Sequence, residues 1–317
     1  MLFYILRRLG GTIPTLFWVL VLIFFGLHVL PGDPALALLG DEASEDALRE
    51  FRAAHGLDRP LLGQFWMYLR GVLVFDLGTS FELKRPVSEL ILAFLPHTLD
   101  LAFASLFLGL LIGVPLGVMM AVRRDSVWDV LGGIAALGGI SMPSFYLSVI
   151  LLLVFSTWLE IFPTMARIDL GDPLSRLHNV VLPACAIGFV QAAPVMRVTR
   201  ASMLDVLNSP YIQTARSKGL PDWRVLYHHA LRNALIPAVT VAATGMAVAL
   251  GGIVVVEIIF NRPGLGKLFI GGVENRDFNL IQGTILVYSV LVVFINLAVD
   301  LLYLFIDPRV SLEDAQR

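Results

Sequence analysis

The sequence contains little charge and almost no cysteine. Of its 317 residues, 15% are charged, and Cys185 is its one cysteine. One thiol excludes an internal disulfide and any cysteine cluster for zinc or iron–sulfur. The formal net charge of −2 gives no basic excess for a nucleic-acid partner. These shortages argue against a disulfide-stabilised secreted domain and against a DNA-binding protein.

Apolar residues are abundant instead. They form 57% of the chain and its mean hydropathy is +0.80, whereas soluble domains contain about 45–50% apolar and about 25% charged residues. We therefore expect an all-α membrane protein. A bilayer core of about 30 Å requires about 20 apolar helical residues. That length predicts six transmembrane helices, at residues 9–30, 98–122, 127–159, 180–198, 235–260 and 280–306, with a kink or tilt at Pro143 in the third.

Basic residues predict the orientation of these helices. With the N-terminus inside, twelve Lys and Arg residues fall in the inner segments and five in the short outer loops. Cytoplasmic loops carry such an excess. Both termini are therefore expected to be cytoplasmic, and residues 31–96 to form an extracytoplasmic segment.

That extracytoplasmic segment has the pattern of a folded one. Ser44 is placed to cap a helix over residues 45–55, and Gly56 to end it. Apolar residues at helical spacing follow between Leu61 and Leu73. A helix resting on the bilayer or on the helix bundle is one interpretation. A surface for a partner protein is the other.

Small residues in the second span predict close helix packing. Ser105, Gly109, Gly113 and Gly117 recur every four residues and so line one helix face. The fifth span carries a similar group at Gly245, Ala249, Gly251 and Gly252. A packed bundle is the favoured interpretation, and a bundle whose helices slide past each other is compatible with it.

A few polar residues interrupt the apolar spans. Glu257, Asn296 and Asp300 are candidates for a polar pathway or for structural pairing. A carboxylate at mid-membrane costs about 2.5–3.5 kcal/mol on insertion scales. Asp300 is therefore predicted to face the bundle, paired with an arginine of the fourth span.

Residues 199–234 form the longest predicted inner segment. Ser209 and Pro210 are typical of a helix start, and Gly219 of a left-handed helix end. The pattern predicts a short helix over residues 210–218 between two longer ones. We interpret it as a docking element rather than a plain connector.

This segment resembles the EAA loop of ABC-importer permeases. Gln213, Thr214 and Ala215 occupy the places of the Glu-Ala-Ala triplet, Gly219 that of its glycine, and Leu235-Ile236-Pro237 the end of the motif. The glutamate and first alanine are absent, as in the dipeptide/oligopeptide branch. Similar motifs extend the resemblance over nearly the whole chain, at Leu30-Pro31-Gly32-Asp33-Pro34, Gly56-Leu57-Asp58-Arg59-Pro60, Asp76-Leu77-Gly78-Thr79-Ser80, Ser141-Met142-Pro143-Ser144-Phe145, Pro263-Gly264-Leu265-Gly266, Asp300-Leu301-Leu302-Tyr303 and Asp307-Pro308-Arg309.

The resemblance implies a fold and a set of partners. The fold is the type I ABC-importer permease fold of a bacterial inner-membrane protein. It comprises a tail with the first helix (1–30), the extracytoplasmic segment (31–96), a permease core (97–306) with its coupling loop (199–234) and a cytoplasmic tail (307–317). Implied partners are a second homologous permease, giving a heterodimer, two cytoplasmic ATPases and an external substrate-binding protein.

The same resemblance implies which residues meet the ATPase. The coupling residues would be Tyr211, Gln213, Thr214, Ala215, Arg216, Lys218 and Gly219. Ala215 and Gly219 would allow close approach of the partner. ATP and Mg²⁺ would be bound by the ATPases, and no cofactor or metal is expected on this chain. Transport would proceed by alternating access.

Other functions fit the sequence less well. A P-loop requires a glycine, four residues and then Gly-Lys-Ser/Thr, whereas Asn261 and Leu268 break that pattern around Gly266-Lys267. A secondary transporter would need relays or paired broken helices, and an intramembrane enzyme a nucleophile with a base or a metal cluster. Within the family, peptide is the expected substrate. Glutathione, nickel chelates, opines and oligosaccharides are the alternatives.

Overall fold

Helices make up most of the chain that the structure describes. The computed structural model describes residues 2–29, 34–40, 43–163 and 173–306. The first helices are α1 (Leu2–Val29), α2 (Pro34–Leu39), α3 (Glu45–Ala54), α4 (Leu61–Leu73), α5 (Val87–Val122), α6 (Val127–Ser141) and α7 (Ser144–Leu151), which continues as a π-helix over Leu152–Trp158. The rest are α8 (Pro173–Leu207), α9 (Pro210–Ser217), α10 (Asp222–Arg224), a π-helix over Val225–Ala230, α11 (Leu231–Ile259), α12 (Leu265–Glu274) and α13 (Phe278–Ile306).

The long helices agree with the predicted spans. Five are long and apolar enough to cross a membrane, at Gly10–His28, Val87–Val122, Ser175–Leu207, Asp222–Ile259 and Phe278–Leu301. The pair Val127–Ser141 and Ser144–Trp158 forms the sixth if it is counted as one span. Helix α5 begins eleven residues before the predicted start at residue 98. Polar His97, Thr98 and Asp100 had limited the apolar run but do not interrupt the helix.

The break in the third span lies where proline predicted it. The chain bends by 102° between the two helices, where Met142 is extended and Pro143 occupies the N-cap of α7. Proline has no N–H to donate and its ring clashes with the preceding turn. The kink is confirmed, and it is a sharp bend rather than a tilt.

The chain divides into two compact units. The first comprises Met1–Thr98 and Pro263–Phe294, and the second Leu99–Arg262 and Ile295–Arg317. The core of the first unit contains Leu77, Val87, Ile91, Leu265 and Leu280, with Tyr68, Leu69 and Val72 of α4 packed against it. One side of the predicted stripe on α4 therefore covers this core. Its other side, with Leu62, Trp66 and Leu73, is exposed.

A carboxylate fastens the loop before α5 within the first unit. Asp277 is fully buried; its Oδ2 accepts hydrogen bonds from Ser80 Oγ at 2.6 Å and from the Glu82 backbone N–H at 3.3 Å. Its Oδ1 accepts from the Leu280 backbone N–H at 3.1 Å, in the first turn of α13. Asp277 thus caps α13 and holds the loop at once.

The second unit is built on close contact between α5 and α8. A Cβ at Gly113 would lie 2.7 Å from the Ala192 carbonyl oxygen, and one at Gly117 2.6 Å from that of Met196. A Cβ at Gly109 would lie 3.1 Å from Gln191 Cβ. The predicted glycine stripe is confirmed as a helix-packing face. Of the small residues in α11, Gly252 approaches Ser144, whereas Gly245 and Gly251 have open space beside them.

Candidate functional site

The short helix α9 has the predicted ends. Pro210 occupies its first turn, and Gly219 lies just beyond it at φ +75°, the left-handed conformation that glycine adopts without strain. Ser209 occupies the N-cap position, but its Oγ donates to the Val206 carbonyl at 2.5 Å instead of capping α9. The start of α9 therefore depends on Pro210 and on the backbone.

One side of α9 is anchored in the second unit. Ile212 is fully buried and Ala215 is 9% exposed, within a cluster that includes Met203, Val225 and Ala234. Ala215 was expected to allow close approach of a partner, but it faces the chain's own core. Its small side chain lets α9 pack closely on α8 and on the start of α11.

The other side of α9 is polar and open. Exposed side chains are those of Gln213, Thr214, Arg216, Ser217 and Lys218. No acidic residue belongs to α9, so this face is basic. It can bind an acidic or hydrogen-bonding surface of another protein, because its charges point away from the core that holds the helix.

Tyr211 connects α9 to the segment that leads into α11. Its phenolic oxygen accepts a hydrogen bond from Asn233 Nδ2 at 2.9 Å and donates to the His229 carbonyl at 3.4 Å. The π-helix Val225–Ala230 intervenes between the two elements. Helix α9 is therefore in contact with α8, through Ile212, and with the start of α11, through Tyr211.

An ion pair joins α8 to α6 near the same end of α8. Arg200 Nε lies 2.6 Å from Asp129 Oδ1, and Arg200 Nη2 lies 2.7 Å from Asp129 Oδ2. The Asp129 side chain is 9% exposed. The backbone N–H of Asp129 donates to Ser126 Oγ at 3.4 Å, so Ser126 caps the start of α6. Sequence reasoning did not single out this pair, although an acid inside an apolar helix was a visible signal.

Charged residues also gather at the opposite end of the second unit. Arg176 of α8 binds Asp100 of α5 through two guanidinium nitrogens. The fully buried Arg262 lies 3.9 Å from Asp100 and donates to the Asn179 carbonyl at 3.2 Å. Burial lowers the pKa of Arg262, and the negative charges of Asp100 and Glu257 oppose that shift. Glu257, a predicted polar candidate, is itself fully buried here.

The other two polar candidates lie on α13. Asp300 is half-buried and Asn296, one turn earlier, is exposed. Arginines of α8 form the ion pairs described above with Asp100 and Asp129. The sequence predicted that Asp300 pairs with an arginine of α8, and neither of these two ion pairs involves Asp300. Within the part of the chain that the structure describes, no group of three His, Cys, Asp or Glu side chains could hold a metal ion.

Comparison with known proteins gives consistent matches. A family model described as "Binding-protein-dependent transport system inner membrane component" matches residues 113–312, and its N-terminal companion matches residues 1–102. The glutathione transport system permease protein GsiC of Salmonella paratyphi A is 42% identical over 98% of this chain and 99% of its own length. A Brucella suis protein named as a peptide transport system permease is 40% identical over 96% of this chain and 98% of its own length.

A solved structure has the same fold. It is a crystal structure of an amino acid ABC transporter with histidines, with a TM-score of 0.50 and 17% sequence identity. The match covers 68% of this chain and 94% of that one. At this identity the likeness concerns the fold alone.

Proposed function

The chain belongs to the family of inner membrane components of binding-protein-dependent transport systems, and we propose that its helix α9 couples an ATPase to a pathway for peptides. It is a non-catalytic, multi-pass permease subunit of an ABC importer with the type I permease fold. One observation carries the coupling role: α9 is anchored by Ile212 and Ala215 and exposes a polar, basic face.

The coupling face consists of Gln213, Thr214, Arg216 and Lys218. The arrangement suits docking because a helix that is anchored in the core of its own chain can transmit a force from a bound partner without unfolding. Ala215 belongs to the buried side of α9, whereas Tyr211 is 44% exposed and reaches the start of α11 through its hydrogen bond with Asn233. Together they would transmit the motion to α8 and α11. Gly219 sets the turn after α9, with open space beside it, and its role is conformational rather than a contact with the ATPase.

The substrate class that we propose is peptides. Relatives that share about 40% of the sequence carry peptide or glutathione in their names, and glutathione is itself a tripeptide. Both names therefore fit one cargo chemistry, a short chain with amide groups and free carboxylates. Glutathione is the specific alternative.

The machine proposed around this chain has several subunits. A second homologous permease would complete the pathway as a heterodimer, and two cytoplasmic ATPases would hold ATP and Mg²⁺. An extracytoplasmic binding protein would deliver the substrate. ATP binding would shift the permease pair toward one of its two conformations only if the ATP-bound ATPases bind that conformation more tightly than the other. Both termini and α9 would then be cytoplasmic.

The proposal also assigns a role to each part of the chain and to its polar residues within the membrane. Residues 31–96 would be the extracytoplasmic segment, 97–306 the permease core and 199–234 the coupling loop; the tail at 307–317 lies outside the described residues. Asn296 and Asp300 are candidate pathway residues. Glu257 suits a structural role better, because it is fully buried near Arg262.

Co-purification tests the proposed subunit composition of the transporter. The tagged chain is extracted gently from native membranes and its stoichiometric partners are identified. We expect a second permease and two P-loop ATPases, and ATP-driven uptake of di- or oligopeptides after reconstitution. Recovery of the chain with no ATPase in several mild detergents would contradict the proposal.

Charge reversal on α9 tests the coupling role. Arg216→Glu together with Lys218→Glu should lower peptide uptake roughly tenfold, a loss of about 1.4 kcal/mol in docking, while the amount of folded chain is unchanged. Arg49→Glu on α3 is the matched control, because it reverses an exposed arginine far from α9 in sequence. Wild-type uptake by the α9 variant, as by the control, would show that α9 is not the coupling element.

A further inference from the structure

An apolar slot opens beside the element that holds α9. It encloses about 300 Å³ between the last turns of α5 and the π-helix before α11. Its lining is apolar except for one charged residue, Arg123, and consists of Val114, Pro115, Val118, Met119, Val122, Arg123, Leu226, Tyr227 and Leu231. We propose that this slot binds an anionic phospholipid, with an acyl chain in the slot and the headgroup phosphate on Arg123.

The charge of Arg123 is what selects an anion. Two carboxylates that follow it in the chain pair with other arginines: Asp125 with Arg124 at 3.3 Å and Asp129 with Arg200 at 2.6 Å. The Arg123 guanidinium lies 5.8 Å from the centre of the Trp128 ring. A guanidinium binds phosphate through several N–H groups at once, so a phosphate adds the anionic partner that the protein does not supply.

The position of the slot selects a lipid over a free phosphate. Its apolar walls belong to the end of a transmembrane helix, so an extended hydrocarbon chain fills them better than water does. Trp128 and Tyr227 flank the slot and are 52% and 59% exposed, as expected for aromatic residues at a membrane interface. Basic pockets between transmembrane helices are a known setting for anionic headgroups.

The same walls also form part of the core under α9. Val118 belongs to the cluster that buries Ile212 and Ala215, and Val114, Leu226 and Leu231 pack against that cluster. A lipid chain in the slot would therefore extend this core. On the proposed function of α9, the bound lipid would stabilise the element that transmits motion from the ATPase, and an anionic membrane would favour coupled transport.

Lipid retention by the full-length chain tests the proposal without any transport assay. The chain, with whatever subunits accompany it, is purified from nanodiscs that contain equal phosphatidylglycerol and phosphatidylcholine, and bound lipid is counted by native mass spectrometry. We expect wild type to retain phosphatidylglycerol preferentially. Arg123→Gln should lower that retention at least fivefold, and Met119→Trp, which fills the slot, should lower retention of both lipids.

The adjacent arginine provides the control. Arg124 is exposed and paired with Asp125, and it does not line the slot. Arg124→Gln should retain phosphatidylglycerol as wild type does. Equal retention by the two glutamine variants, retention unchanged in Met119→Trp, or competition by inorganic phosphate would each overturn the proposal. Because none of these readouts requires an ATPase, they fail or succeed independently of the coupling role.

Discussion

Arg200 binds the Asp129 carboxylate through two guanidinium nitrogens, with N–O distances of 2.6 and 2.7 Å. This ion pair joins the start of α6 to the end of α8 that leads into α9. The Asp129 side chain is 9% exposed and that of Arg200 31% exposed. Water therefore screens the pair only in part. The contact fixes α8 at Arg200, ten residues before α9 begins at Pro210, and so helps to position α9.

Breaking this pair should cost both stability and coupling. Asp129→Ala leaves a partly buried arginine without its carboxylate, and loss of one partner from such a pair costs about 3 kcal/mol. We expect a lower melting temperature in detergent and less peptide transported per ATP hydrolysed. The exchanged pair, Asp129→Arg with Arg200→Asp, should recover part of the coupling ratio. An unchanged ratio in Asp129→Ala would show that the contact is structural alone.

Gly113 should not tolerate even a methyl group. A Cβ there would lie 2.7 Å from the Ala192 carbonyl oxygen and 2.8 Å from Val195 Cβ, so Gly113→Ala must push α5 away from α8. We expect a loss of about 1–3 kcal/mol, measured as thermal unfolding in detergent. Gly133→Ala is the matched control, because nothing lies within 4 Å of its added Cβ and alanine favours a helix. Equal melting temperatures for the two variants would mean that the α5–α8 contact is looser.

Local features of the sequence predicted local structure. Ser44 caps α3 by accepting a hydrogen bond from the Ala47 backbone N–H at 3.2 Å, and Gly219 ends α9 at φ +75°. The glycine stripe on α5 also lies where its spacing indicated. Each of these predictions depends on residues close together in the chain, where propensity and periodicity determine the outcome.

Pairings between distant residues were not predictable in the same way. Asp129 and Arg200 are 71 residues apart, and Ser80 and Asp277 are 197 apart. Periodicity shows that an acid lies in an apolar helix, but the choice of its partner depends on which helices are neighbours. The direction of Ala215 was missed for the same reason, because a four-residue spacing defines a helix face without indicating whether that face turns to the core or to a partner.

Asp277 should be essential for the fold of the first unit. It is fully buried and accepts three hydrogen bonds, from Ser80, Glu82 and Leu280. Asp277→Ala leaves those donors without their acceptor, and each such loss costs about 1–3 kcal/mol. We expect a sharp drop in folded yield. Asp58→Ala, at an exposed carboxylate of the same unit, should behave as wild type, and comparable yields for both would contradict the role given to Asp277.

Cysteine labelling should establish the orientation of the chain. In a Cys185→Ala background, Ser217→Cys places a thiol on the exposed face of α9 and Ala54→Cys one at the exposed end of α3. Arg216 and Lys218 flank Ser217, and cytoplasmic segments retain such basic residues. A membrane-impermeant maleimide should therefore label Ala54→Cys in right-side-out vesicles and Ser217→Cys in inverted ones. The background variant should remain unlabelled in both, and detergent should expose both thiols equally. The reverse pattern would put α9 on the side opposite to the ATPases, and the proposed coupling role could not hold.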